Sequence, residues 1–210
     1  MPKSWDSKIR HLIEALISAF LFVFQYIPVA GPWYGIMIFP LALYISGLWW
    51  TEPDLLGAQI NLLLFSQQLM FGRIVAVTGF MIFLGASVHF LRRKEKINTT
   101  GLYSVVRHPQ YFGIIIVTLG MTIMCIQFKR GHPPELTNIW LLQVLGYILL
   151  AAYEERYLMR EHEREYQQYR DKVPFIFPIP RLNKIPEPLV SIVLALFVMF
   201  LLMNLINPYL

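Results

Sequence analysis

Two short clusters in the sequence combine residue types that can grip a small charged molecule. The first spans residues 101–111 and contains Gly101, Tyr103, Arg107, His108, Pro109 and Tyr111. Pro109 disfavours helical backbone at His108 and is itself suited to the first position of a helix. Arg107 and His108 are therefore expected at the N-terminus of the helix that follows. Unpaired backbone N–H groups and the positive end of the helix dipole converge there. With a guanidinium and an imidazole added, the position suits a carboxylate or a phosphate. The same residues also suit a plainer role, a snorkelling arginine and a capping loop with Tyr111 in an interfacial aromatic belt.

The second cluster is Glu154-Glu155, at the exit of an apolar stretch. Adjacent carboxylates at such a boundary repel each other, and Arg156 and Arg160 are near enough in sequence to compensate them. The pair can hold an ammonium or a sugar diol, or it is an ordinary charged helix end. A third stretch, Glu161-His162-Glu163-Arg164-Glu165-Tyr166, begins like a zinc-protease helix. Tyr166 stands where that motif needs its second histidine, so a metal reading is rejected. His11, His89 and His132 are scattered over different segments and read as interfacial residues. No dinucleotide fingerprint, phosphate loop or nucleophile elbow is present.

The elements that must position these clusters follow from composition. The chain has 210 residues, of which 56% are hydrophobic and 15% charged. Soluble domains carry roughly 25% charged residues, so much of this apolar surface must face lipid. The net charge of +5 is gathered in short runs at the ends of apolar stretches, as membrane anchors are. No basic face free of membrane is left for nucleic acid. The single cysteine, Cys125, excludes a disulfide within the chain.

Membrane-spanning apolar stretches are expected over residues 12–28, 33–50, 73–91, 111–128, 138–153 and 188–207, of which 138–153 is slightly short and its helix is expected to continue beyond the membrane. The first resembles a signal peptide but is too long and lacks a good cleavage site, so it reads as a retained helix. Residues 55–71 contain Gln59, Asn61, Ser66, Gln67 and Gln68 and suit either an interfacial helix or a buried span. Basic residues should lie on the cytosolic side, which places 92–107 and 154–184 there together. For Lys3, Lys8 and Arg10 to join them, 55–71 must also cross, giving about seven spans rather than about six. The fold expected is an all-α, polytopic transmembrane bundle, multi-pass, with a cytosolic helix over 154–172. Pro174, Pro178 and Pro180 then impose an extended segment.

The stretches 111–128 and 138–153 form an antiparallel hairpin, so Arg107-His108 and Glu154-Glu155 return to one membrane face. A carboxylate receptor beside an ammonium or diol receptor results, and Tyr166, Tyr169, Phe175 and Phe177 can cover a flat base. S-Adenosyl-L-methionine has those three parts. The pattern Gly101-x-Tyr103, Arg107-His108-Pro109-x-Tyr111 resembles the signature of the isoprenylcysteine carboxyl methyltransferase family. So does Glu154-Glu155, Glu165-Tyr166, Tyr169, Val173-Pro174 and Pro178. The resemblance covers residues from about 73 to 180, between N-terminal helices (1–72) and an additional C-terminal helix (181–210).

That resemblance implies a methyltransferase using S-adenosyl-L-methionine at the cytosolic face, with a lipophilic or prenylated acceptor arriving from the lipid bilayer. It assigns cofactor binding to Tyr103, Arg107, His108, Pro109, Tyr111, Glu154, Glu155, Tyr166 and Tyr169, and catalysis to Arg107 and Glu155. Methyl transfer from a sulfonium needs mainly alignment and exclusion of water. A carboxylate acceptor needs no base; an amine or thiol would make Glu155, Glu154 or His108 a candidate base. Phospholipid methyltransferases and NADPH-dependent membrane sterol reductases have related C-terminal halves. A reductase and a non-enzymatic membrane scaffold therefore stand as alternatives.

Overall fold

A computed structural model describes residues 35–56, 60–92, 97–129, 133–179 and 185–205. The elements considered below belong to the unit Met37–Leu210. In chain order they are α1 (Ile38–Thr51), α2 (Pro53–Leu56), α3 (Ile60–Phe65) and a 3-10 turn at Gln67–Leu69. There follow α4 (Met70–Arg92), a second 3-10 turn at Gly101–Ser104, α5 (Pro109–Lys129), α6 (Pro134–Glu161), α7 (Glu163–Lys172) and α8 (Glu187–Leu205). No strand occurs among the described residues.

Among the described residues, four helices are long and apolar enough to cross a membrane: residues 67–92, 109–129, 134–161 and 187–204. α5 is the central one, with 56% of its apolar stretch buried, against 11% for the stretch containing α4 and 22% for α8. The outer faces of α4 and α8 are apolar and exposed, with Met81, Leu84 and Val88 on one and Val193, Phe197 and Phe200 on the other. Contiguous apolar surface of this kind marks contact with a membrane or another protein, and on helices of this length it suits lipid. The expected helix over 12–28 lies outside the described residues, and the one over 33–50 appears as α1, a shorter apolar helix of 14 residues.

The stretch 55–71 is not one helix, so it does not supply the additional crossing that the charge asymmetry favoured. α3 has six residues, a rise of about 9 Å. A bilayer core is about 30 Å thick. The chain breaks at Ser66, whose backbone is extended (φ −63°, ψ 126°). Arg73 makes the break tenable: its guanidinium donates to the carbonyls of Leu63 (3.2 Å) and Ser66 (2.6 Å). The last residues of the stretch, Met70 and Phe71, instead open α4.

α4 and α5 run antiparallel with their backbones almost touching, because glycines face each other. A Cβ on Gly79 would lie 2.4 Å from the backbone N of Val117, and one on Gly120 would lie 2.3 Å from that of Ala76. Gly72 and Gly113 sit in the same seam, so the small residues repeat at intervals of seven on both helices. In lipid, where the hydrophobic effect does not drive helices together, close packing of this kind holds them. α1 packs along α6, from Tyr147, whose hydroxyl donates to Met37 O (3.0 Å), to the end of the bundle remote from residues 107–109. There the Tyr44 hydroxyl hydrogen-bonds with Thr118 O (3.0 Å) and Thr122 Oγ1 (2.9 Å), and Lys129 pairs with Glu52 (2.8 Å).

Directions then decide what meets at the other end. α4 runs towards that end, α5 starts there, α6 returns to it, and α8 starts there. Gly79→Leu and Gly120→Leu should each lower the thermal unfolding midpoint in detergent. Overpacking costs about 1–3 kcal/mol, and here the obstructing atoms are backbone. Unchanged midpoints in both variants would show that the α4–α5 seam is not a principal contact.

Candidate functional site

Pro109 is the first residue of α5, as its chemistry predicts, and Arg107 and His108 immediately precede it. Their backbone N–H groups are not open to a ligand, which corrects the expectation of an anion cradle at this helix start. Arg107 N–H is shared between the carbonyls of Pro174 (2.9 Å) and Phe175 (3.0 Å), and His108 N–H reaches Phe175 O (3.3 Å). The proline-rich segment after α7, unable to form helix, spends its carbonyls here. What remains available is side-chain chemistry.

That chemistry is concentrated. The Arg107 side chain is fully buried; its Nη1 lies 3.0 Å from Glu155 Oε1 and its Nη2 pairs with Glu187 Oε2. Its guanidinium also sits over the Phe175 ring, 5.4 Å from the centroid. The His108 ring lies between two carboxylates, Nδ1 3.4 Å from Glu154 Oε2 and Nε2 3.3 Å from Glu155 Oε1. It stacks on Tyr111 at 5.3 Å, and the Tyr111 hydroxyl donates to Glu154 Oε2 at 3.0 Å. Arg170 Nε approaches Glu155 Oε2 at 3.9 Å from the more exposed side. With His108 protonated, three cations and three carboxylates meet at the membrane boundary.

The tyrosines expected in the site divide by position. Tyr103 is buried in the Gly101–Ser104 turn, where Gly101 adopts positive φ (63°) that other residues rarely take. Its ring stacks on His89 at 5.9 Å, and its carbonyl accepts from the Tyr169 hydroxyl at 2.6 Å. Tyr166 and Tyr169 pack edge to face at 5.9 Å in a cluster with Ile97 and Val173. Burial pushes both phenols above their ordinary pKa, so they remain donors. All nine expected site residues lie at this end of the bundle. The charged groups, with Tyr111, are in direct contact; Tyr103, Tyr166 and Tyr169 form an adjoining layer.

Compensation of the carboxylates differs from expectation. Arg156 and Arg160 are exposed, while Arg107, His108 and Arg170 face the pair. Glu154 and Glu155 lie within α6, which continues to Glu161. His162, at the α6–α7 junction, takes no part in these pairs. Glu187 was not foreseen: an acidic residue in the first turn of a helix is common, and nothing in sequence links it to Arg107.

With this geometry in view, comparison with known proteins is decisive for family. The family model described as "Phospholipid methyltransferase" matches residues 60–165, half of the chain. This chain belongs to the phospholipid methyltransferase family. It is also similar to Protein-S-isoprenylcysteine O-methyltransferase B of Arabidopsis thaliana, 30% identical over 86 residues. That alignment covers 40% of this chain and 41% of the relative, so the chain matches about two fifths of the relative's length. No solved structure matches. The isoprenylcysteine-methyltransferase-like resemblance therefore holds at family level, in an integral membrane protein. The family match ends before Tyr166, Tyr169, Arg170, Phe175 and Glu187.

His108 makes the site sensitive to pH. Burial opposes its charge, but hydrogen bonding and attraction to Glu154 and Glu155 prevail and raise its pKa from 6.5 to about 9. A raised histidine pKa stabilises the fold fully below the unfolded value, and that contribution is lost as pH rises through the folded value. The stability gap between the wild type and His108→Gln should be widest near pH 6 and should narrow as pH passes about 9. A gap independent of pH, in thermal unfolding across that range, would mean that His108 is not held as an imidazolium.

Proposed function

We propose that this membrane protein transfers a methyl group from S-adenosyl-L-methionine to a lipophilic acceptor at the cytosolic membrane face. The acceptor class is an isoprenylcysteine-type carboxylate or another lipid. The observation behind the proposal is the set of buried Arg107, His108 and Glu155 with half-buried Glu154, held at one end of the α5–α6 hairpin in a chain of this family. A cytosolic position for that end rests on the basic residues of 92–107 and 154–184.

The residues present suit the cofactor. Its amino-acid end brings a carboxylate and an ammonium, matching a guanidinium beside carboxylates. Buried polar atoms are left to receive it: among the described residues Arg107 Nε and Glu187 Oε1 have no hydrogen-bond partner. Such atoms are costly unless something satisfies them. When bound, the cofactor supplies an activated methyl on a sulfonium. Arg107 would hold its carboxylate, and Glu154 or Glu155 its ammonium or ribose hydroxyls. Tyr103, Tyr166 and Tyr169 would wall the site against water. Alignment and water exclusion are what a displacement at an activated methyl requires. Glu155, already facing three cations, is suited to holding charge. It takes a proton only if the acceptor has one to lose.

Arg107→Ala would strand Glu155 and Glu187 in a buried site, at a cost of about 3–5 kcal/mol, and would confuse folding with function. Arg107→Lys and Glu155→Gln are the informative variants. Purified protein with methyl-labelled S-adenosyl-L-methionine and a membrane lipid extract should form a labelled lipid-soluble product. Both variants should lose about tenfold or more of that rate, because lysine cannot reproduce a planar, bidentate grip. His162→Ala should match the wild type. Retained activity in Arg107→Lys and Glu155→Gln would place the reaction elsewhere, and binding of NADPH without S-adenosyl-L-methionine would favour a reductase.

A further inference from the structure

We propose that Glu187 is a displaceable stand-in for the ligand's carboxylate, making the first turn of α8 a latch on the site. The inference rests on the reading of the site given above and assigns a role to a helix outside the matched family region, residues 60–165.

Three features carry it. Glu187 Oε2 pairs with Arg107 Nη2, although the two residues are 80 positions apart and, among the described residues, Arg107 is otherwise bound to α6 and the segment after α7. The Arg107 side chain has 0% exposure and that of Glu187 10%, so with Glu155 on Nη1 and Glu187 on Nη2 no ligand carboxylate reaches the guanidinium while Glu187 stays in place. The pairing is also incomplete. Arg107 Nε and Glu187 Oε1 are both buried, and among the described residues neither has a hydrogen-bond partner. Nε and Nη2 form one edge of the guanidinium fork, and that edge matches a carboxylate bidentately. A ligand carboxylate on this edge would satisfy both donors, where Glu187 engages one. Exchange would also return Glu187 from a nearly dry environment towards water, at the α8 N-terminus where an acidic side chain is favourable.

A latch of this kind lowers apparent affinity by the fraction of molecules in which it is open. Calorimetry on the full chain in lipid nanodiscs tests it with two probes, S-adenosylhomocysteine and its analogue lacking the α-carboxylate. Glu187→Gln keeps the shape and removes the charge. It should bind S-adenosylhomocysteine about tenfold tighter, as relief of a state closed roughly nine times in ten would give. It should bind the analogue as the wild type does. Glu187→Asp, carried alongside, should shift in the same direction, so that a folding failure in one variant still leaves a result. Unchanged or weaker binding of S-adenosylhomocysteine overturns the latch, as does equal tightening for both probes, which would signal a general loosening. If the wild type binds neither probe, the functional reading has failed and the latch fails with it.

Discussion

A fully buried guanidinium at the edge of a membrane is the constraint around which this molecule is arranged. Taking an ion out of water costs several kcal/mol, and only close opposite charges with good hydrogen bonding offset it. Arg107 meets the constraint with Glu155 from α6 and Glu187 from α8. The ring of His108 is met by Glu154 and Glu155. No single element could supply this set, so every element contributing to it must arrive at the same end of the bundle.

The rest of the fold answers that requirement. The glycine seam between α4 and α5 fixes the position of α5 to within a backbone contact, and hence where Arg107 and His108 emerge. α6 runs antiparallel to α5, which returns Glu154 and Glu155 to the start of α5. The segment after α7 cannot form helix because of its prolines, and its freed carbonyls take the N–H groups of Arg107 and His108. Tying those N–H groups to protein closes the helix start to anions; under the proposed function, the guanidinium and the carboxylates are the groups offered to a ligand. An uncommitted helix start would attract any anion; a paired, self-neutral cluster favours a ligand that brings both signs of charge.

Much of this was legible in the sequence, for local reasons. Pro109 marks the start of α5, the apolar lengths give the hairpin, and the hairpin alone brings Arg107-His108 and Glu154-Glu155 together. The unread parts are those where contact depends on distant chain. Glu187 looks like any acidic first-turn residue until α8 is seen beside α6. Arg156 follows Glu155 directly, yet one helical position is a rotation of about 100°. It therefore leaves the face on which Tyr147, Ile148, Ala151 and Glu155 are buried. The seven-residue spacing of Gly72 and Gly79, and of Gly113 and Gly120, is visible in retrospect as a packing seam. The stretch 55–71 is apolar enough to resemble a span, but the break at Ser66, sealed by Arg73, is a tertiary outcome.

The most direct test is an experimental structure of the full chain in lipid nanodiscs with S-adenosylhomocysteine bound. The ligand's amino-acid end should lie against Arg107, between the start of α5 and the last turns of α6, with its base towards Tyr166, Tyr169 and the segment after α7. Ligand density anywhere that leaves Arg107 paired only with Glu155 and Glu187 would contradict the assignment of this cluster as the cofactor site.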